Sequence, residues 1–367
     1  MGILQPIWDG TFVYREPVCF SADKDGRPTG GTLLYQPEEI LSVTSFDGSV
    51  FYQPVRDYTA NGRQLVRTEA SRIPYLERSV YCKPFTGVPE TAWVRLSGGK
   101  AYMEVVSDVY RWQTLVTYTH RDKWAGFQPK TCGESLPRSM EKLRAGGDFH
   151  LTLYGDSITA GWEASGCNER AIDMVTLGEY HVSLWHAPYQ PAWAELVTNA
   201  LQARYPQSNV IKTNRAAGGS TVQWGVEHAA ELVPPCKPDL IMLGFGMNSM
   251  QESAEDYRRA ILSIIRTIRK ECHDCEFVLM SPMIPNPEIK GFQNNQLPAQ
   301  QDVLYQIAAE LEGVCIAPVH SVFREMTARG KHYLELTGNC INHPNDFSVR
   351  VYAQTVLRTL GVDGNDG

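Results

Sequence analysis

The chain has 367 residues, 43% of them hydrophobic and 20% charged, ordinary values for a folded protein with enough length for two domains. A formal net charge of -7 and a pI near 5.8 argue against nucleic acid or an anionic membrane surface as a partner. No apolar run reaches the ~18 residues that a membrane-spanning helix needs.

The first residues, Met1-Gly2-Ile3-Leu4-Gln5-Pro6, carry neither a basic n-region nor an apolar h-region, so no secretory signal is expected. Pro6 stands where a myristoylation signal needs Ser or Thr. The nine cysteines are odd in number and scattered, so reduced thiols and a cytoplasmic location are expected. Cys272-His273-Asp274-Cys275 is the one tight cluster. With no second pair spaced to match it, it is read as structural rather than as a metal site.

From residue 10 to about 128 the chain reads as short strands rich in β-branched and aromatic residues, at 11–15, 32–35, 40–45, 50–52, 92–96, 101–106 and 114–119. Turn pairs such as Asp25-Gly26, Asp47-Gly48 and Asn61-Gly62 separate them. This pattern predicts an all-β sandwich, jelly-roll-like, over residues 1–130. Its role is either to bind carbohydrate and shape the substrate site or to cover one edge of the following domain. Residues 131–147, with Pro129 and Pro137 near the start and Gly146-Gly147 at the end, read as a linker.

From 148 to 367 strand and helix patterns alternate. Strands are predicted at 149–154, 209–213, 239–245, 276–281 and 313–318, and helices at 192–204, 254–272, 298–311 and 347–360. In the second helix Tyr257, Ile261, Leu262, Ile264, Ile265 and Ile268 form an apolar stripe. Alternation of this kind predicts a parallel sheet covered by helices on both faces. The long segment 163–191 breaks the rhythm and is read as a functional loop.

Chemistry-bearing residues fall at the predicted strand exits, where α/β sheets hold ligands. Tyr154-Gly155-Asp156-Ser157 ends the first strand, with a serine in a glycine-flanked turn. Gly218-Gly219 follows the second strand and lets backbone N–H groups approach a ligand. Gly246-Met247-Asn248-Ser249 follows the third and offers a neutral side-chain amide donor. Asn342-His343-Pro344 precedes the last helix, placing an imidazole at a helix N-terminus. Together these can supply the nucleophile, base and oxyanion donors of a serine hydrolase.

On these four blocks, covering about 148–362, the chain resembles the SGNH hydrolases, also called the GDSL esterase family. The resemblance implies a flavodoxin-like α/β/α sandwich with Ser157 as nucleophile and His343 as base. It also implies an oxyanion hole built from the N–H groups of Ser157 and Gly219 and the Asn248 side chain. A β-sandwich ahead of such a domain is similar to the two-domain carbohydrate acetylesterases. Two positions depart from the family: Ser249 stands for an Asp, and Cys340 for the Asp three residues before the His. A thiol is a poor substitute for the carboxylate that orients the imidazole. A Ser157–His343 dyad is therefore expected, with Nδ1–H held by a backbone carbonyl near Cys340 or by another acid. Asp346 is the nearest candidate third member, though a carboxylate in a first helical turn also serves the helix N-terminus.

Trp162, Trp185, His186, Tyr189 and Trp224 fall near the predicted rim and are candidate substrate contacts. The expected activity is hydrolysis of short acyl esters, O-acetyl groups on a carbohydrate above all, through an acyl-enzyme. The partner is then a small-molecule or oligosaccharide ester, and no metal or organic cofactor is needed. The same residues would also serve an acyltransferase, or a catalytically silent carbohydrate-binding protein.

Overall fold

The computed structural model describes residues 3–84, 101–103 and 109–362. In the N-terminal half, β1 (Phe12–Cys19), β2 (Pro37–Ser45) and β3 (Gln113–His120) form an antiparallel sheet in the order β1-β3-β2. The central strand is buried almost throughout, as suits its run of Thr, Leu, Val and Tyr. Short antiparallel ribbons accompany it, among them Tyr58–Asn61 with Gln64–Arg67. This half is β-rich and antiparallel, consistent with the expected sandwich.

Not every predicted strand forms. Residues 32–35 make a single bridge, Thr32 to Gln64, although Leu33, Leu34 and Tyr35 are buried. Leu33 N–H donates to the Arg63 carbonyl at 2.8 Å, and the next two find side-chain partners: Leu34 N–H donates to Glu16 Oε1 at 2.9 Å and Tyr35 N–H to the Tyr118 hydroxyl at 3.2 Å. Burial thus occurs without a ladder. Residues 50–52 contribute an isolated bridge between Thr44 and Phe51. The strand expected at 92–96 and the end of the one at 101–106 lie outside the described residues; Ala101–Met103 is a strand.

Helix α1 (Pro137–Ala145) leads into β4 (Gly147–Gly155). The hairpin β5 (Asn168–Ile172) and β6 (Glu179–Ser183) then occupies the long segment 163–191. Next come α2 (Trp193–Arg204), β7 (Ser208–Asn214), α3 (Val222–Leu232), β8 (Leu240–Gly244) and α4 (Ala254–Arg269). The chain ends with β9 (Glu276–Met280), α5 (Leu297–Glu310), β10 (Val314–Ala317), α6 (Val319–Ala328), α7 (Tyr333–Leu336) and α8 (Asp346–Leu360). The five parallel strands are ordered β7-β4-β8-β9-β10, the flavodoxin-like arrangement, whose strand order reverses beside the first strand.

Both faces of this sheet are covered, so its strands are apolar at consecutive positions. Leu151, Leu153, Met242 and Val278 share one core with Trp193 and Val197 of α2 and Val349 and Tyr352 of α8. Ile241, Leu243, Phe277 and Leu279 share the other with Val222 of α3, Ile261 and Ile265 of α4 and Ile307 of α5. Helices α3 and α6 were not expected from the sequence. Gly225 interrupts the period of α3, and the fold needs it: a methyl there would come within 2.7 Å of the Phe245 ring. Among the described residues, no helix is long and apolar enough to cross a membrane.

Candidate active site

Strand β4 delivers Ser157 to the rim. Gly155 ends the strand where a side chain would strike the Gly244 carbonyl at 2.2 Å and Thr159 Oγ1 at 2.4 Å. Asp156 organises the turn that follows, its Oδ1 accepting N–H bonds from Ile158 at 3.0 Å and Thr159 at 3.4 Å. Burial pushes this carboxyl up to about 6, against the pull of those N–H groups and of His343. Ser157 is left with Oγ 2.8 Å from Nε2 of His343.

Two backbone donors lie in the loops that follow β4 and β7. Among the described residues, the N–H groups of Ser157 and Gly219 donate no hydrogen bond within the protein. Gly219 has φ +79°, and a methyl on it would meet nothing within 4 Å, so its backbone is open to solvent. Asn248, on the exit of β8, is exposed, and its Nδ2 donates to the Ser220 carbonyl at 3.0 Å. Ser249, standing where the family has Asp, accepts the Val222 N–H on Oγ at 2.8 Å. The Gly219 and Asn248 loops are therefore tied together by two bonds. The arrangement can take a serine proton on an imidazole and surround a developing oxyanion with N–H donors.

His343 sits in a loop closed by an antiparallel bridge between Thr337 and Pro344 and by a Gly338 N–H bond to the His343 carbonyl at 2.9 Å. Inside the loop, Asn339 Oδ1 accepts the N–H groups of Ile341, Asn342 and His343 at 2.9, 3.0 and 3.1 Å. Three donors converging on one oxygen fix the amide's orientation, so its Nδ2 faces His343 Nδ1, 2.9 Å away. Glu163 Oε1 lies 3.8 Å from the same Nδ1. The N-terminal half supports this loop through Gln113, whose Nε2 donates to the Leu334 and Thr337 carbonyls, both at 2.8 Å. Gln113 Oε1 accepts from Asn345 Nδ2 at 3.1 Å.

The sequence leaves the partner of Nδ1 open between a backbone carbonyl near Cys340 and another acid, Asp346 being the nearest, and for Asp346 the structure gives a correction. The Asp346 carboxylate binds Ser165, through N–H at 2.8 Å and Oγ–H at 2.7 Å, and does not meet the imidazole. The Cys340 carbonyl accepts from Asn286 Nδ2 at 2.7 Å, while Nδ1 faces Asn339 and Glu163. Both residues went unremarked in the sequence. Asn339 lies one position from the one where the family has Asp, which is a usable signal; Glu163 offers none.

The aromatic candidates separate. Trp162 stands edge-on to the His343 ring, centroids 5.7 Å apart, and lies over Gly218, where a methyl would come within 2.7 Å of the indole. Trp185 and Tyr189, 65% and 49% exposed, pair at 5.2 Å. His186 stacks on Tyr110 of the N-terminal half at 4.0 Å. Trp224 is buried, its indole N–H donating to the Met174 carbonyl at 3.1 Å beneath the β5–β6 turn, rather than standing on the rim. Among the described residues, no group of three or more His, Cys, Asp or Glu is placed to hold a metal.

Residues 153–348 match the model of the GDSL-like lipase/acylhydrolase family, more than half of the chain. The chain belongs to that family. No curated protein matches this family member in sequence. Among solved structures it is similar to a two-domain esterase active on acetylated mannans, co-crystallised with mannopentaose. The two are 21% identical with a TM-score of 0.47, over 64% of this chain and 55% of that one. The match thus spans little more than half of that esterase. It is also similar to Axe2, an acetylxylan esterase from Geobacillus stearothermophilus, at 20% identity and a TM-score of 0.46, over 59% of this chain and 96% of that one.

Proposed function

We propose that this chain is a serine esterase that removes short acyl groups, O-acetyl groups from a carbohydrate above all. The observation that carries the reading is the 2.8 Å contact between Ser157 Oγ and His343 Nε2, with the N–H groups of Ser157 and Gly219 left without a partner among the described residues. His343 takes the Ser157 proton as Oγ attacks the ester carbonyl. The N–H groups of Ser157 and Gly219 and the amide of Asn248 hold the oxyanion. Collapse expels the alcohol, protonated by His343, and water activated by the same imidazole then releases the acid.

A short acyl group is favoured because Trp162 fills the space against His343 and over Gly218. A sugar is favoured by the exposed Trp185–Tyr189 pair, since such rings stack on sugar faces with little ordering cost. A fluorophosphonate probe should label Ser157 in the full chain and not in S157A. Aryl esters of increasing acyl length should then show kcat/KM falling beyond acetyl and propionyl. Absence of labelling would favour the silent binding reading, and a preference for long chains would remove the acetyl assignment.

A further inference from the structure

Glu163 lies six residues after Ser157 and has φ +70°, a left-handed conformation costly for a side-chain-bearing residue. Its side chain is 14% exposed and lies against Gly338, where a methyl would come within 2.9 Å of Glu163 Cβ. Among the described residues its carboxylate accepts no hydrogen bond. The group it faces is His343 Nδ1, at 3.8 Å. A largely buried carboxylate without a donor is costly, and a strained backbone holds this one beside the imidazole.

Resting on the serine-esterase reading, we infer that Glu163 is the positioning residue of His343, accepting its Nδ1–H in the reactive state while Asn339 holds the opposite tautomer at rest. Asn339 Nδ2 donates to Nδ1, so the resting imidazole carries its proton on Nε2, directed at Ser157 Oγ. For attack, Nε2 must offer a lone pair, and the neutral ring then carries its proton on Nδ1. The bond from Oγ to the carbonyl carbon forms, the carbonyl π pair moves to its oxygen, and the hydroxyl proton passes to Nε2. The imidazolium now has N–H on both sides, and Nδ1–H needs an anionic acceptor. A separation of 3.8 Å is too long for a hydrogen bond, but a shift of about 1 Å closes it, and catalytic bonds commonly tighten only when substrate binds.

Other charged groups nearby are bound elsewhere. Asp156, at the exit of β4, accepts the N–H groups of Ile158 and Thr159. On α8, Asp346 binds Ser165 and Arg350 binds Gln190 and the carbonyls of Tyr14 and Arg15. Cys340, on the imidazole's own loop, is a buried thiol.

The test measures kcat and KM against pH on an aryl acetate, with fluorophosphonate labelling, for the full chain, E163Q, N339D and E163Q/N339D. E163Q should lower kcat by about a hundredfold or more with KM little changed, as for loss of a triad carboxylate. The acid limb of its pH profile should move down, because a carboxylate favours imidazolium. N339D keeps the oxygen that accepts three N–H groups and puts a carboxylate oxygen at Nδ1, so the double variant should recover about tenfold or more over E163Q. A merely structural Glu163 would give neither the moved midpoint nor the rescue. E163Q within about threefold of wild type with an unmoved midpoint, or a double variant no better than E163Q, overturns the inference alone. A wild-type chain that neither labels nor turns over overturns the esterase reading and this inference together.

Discussion

Lys331 holds its ammonium 3.0 Å from a carboxylate oxygen of Glu16, and neither side chain reaches solvent. Glu335 adds a second carboxylate at 3.2 Å, and the carbonyls of Pro17 and Thr32 accept from the same nitrogen at 2.6 and 3.1 Å. Glu16 belongs to β1 while Lys331 precedes α7, so the contact joins the N-terminal sheet to the stretch leading to His343.

Removing the cation alone would leave two buried carboxylates without a counter-charge. K331M should therefore lower the unfolding free energy by about 3–5 kcal/mol, the cost typical of breaking a buried pair from one side. Urea unfolding followed by fluorescence checks this. A loss well under 1 kcal/mol would mean that water or protonation relieves the carboxylates.

Asn248 separates chemistry from folding. Its side chain is exposed and, among the described residues, makes one hydrogen bond, to Ser220, so N248A should cost only about 0.5–1.5 kcal/mol of stability. Loss of an oxyanion donor should lower kcat by about 10²–10³ with the fold intact. Parallel measurement of aryl-acetate turnover and thermal unfolding reads both effects.

At Gly219 the obstacle to a side chain is conformational, since a methyl there meets nothing within 4 Å while φ is +79°. G219A should cost about 1–2 kcal/mol if the loop keeps its shape. If the loop relaxes instead, stability returns and turnover falls because the N–H turns away. Thermal unfolding and kcat of the same variant should therefore not both match wild type.

Two buried groups act oppositely on acid stability. His332 caps α7 by accepting the Leu334 N–H on Nδ1 at 3.3 Å, which needs a neutral ring, and burial pushes its pKa down to about 4 from 6.5. A depressed histidine contributes stability above its unfolded value that is lost as pH falls from 6.5 through 4. Asp156 is raised from 3.8 to about 6, so its contribution is present below its unfolded value and lost as pH rises through 6. Each effect is at most about 3 kcal/mol. H332N keeps a cap acceptor and should flatten the acid-side loss; D156N should steepen it. Urea midpoints between pH 4 and 7 check both signs.

The hydrolase half was legible because its signals are local. Strands buried on both faces are continuous apolar runs, as in 149–154, and α4 shows its inward face as Tyr257, Ile261, Ile264, Ile265 and Ile268. Ser157, Gly219 and Asn248 stand in the loops that leave the neighbouring strands β4, β7 and β8, so the parallel sheet carries all three loops to one edge. Residues 32–35 misled for the converse reason: their burial is local, but the partners of the Leu33, Leu34 and Tyr35 N–H groups are Arg63, Glu16 and Tyr118, which no window around residue 33 contains.

By itself, then, the sequence determined which residues end the parallel strands and which side chains with reactive chemistry stand there, because a strand's exit is set by its own apolar run and the turn that stops it. What surrounds the imidazole was decided only by the tertiary structure. Asp346, three residues from His343, is directed to Ser165, whereas Glu163, far away along the chain, lies beside Nδ1. The physical reason is that a hydrogen-bond partner is chosen by distance and direction in space, and those depend on how the loop at 337–344 packs against Gln113 and the turn after β4.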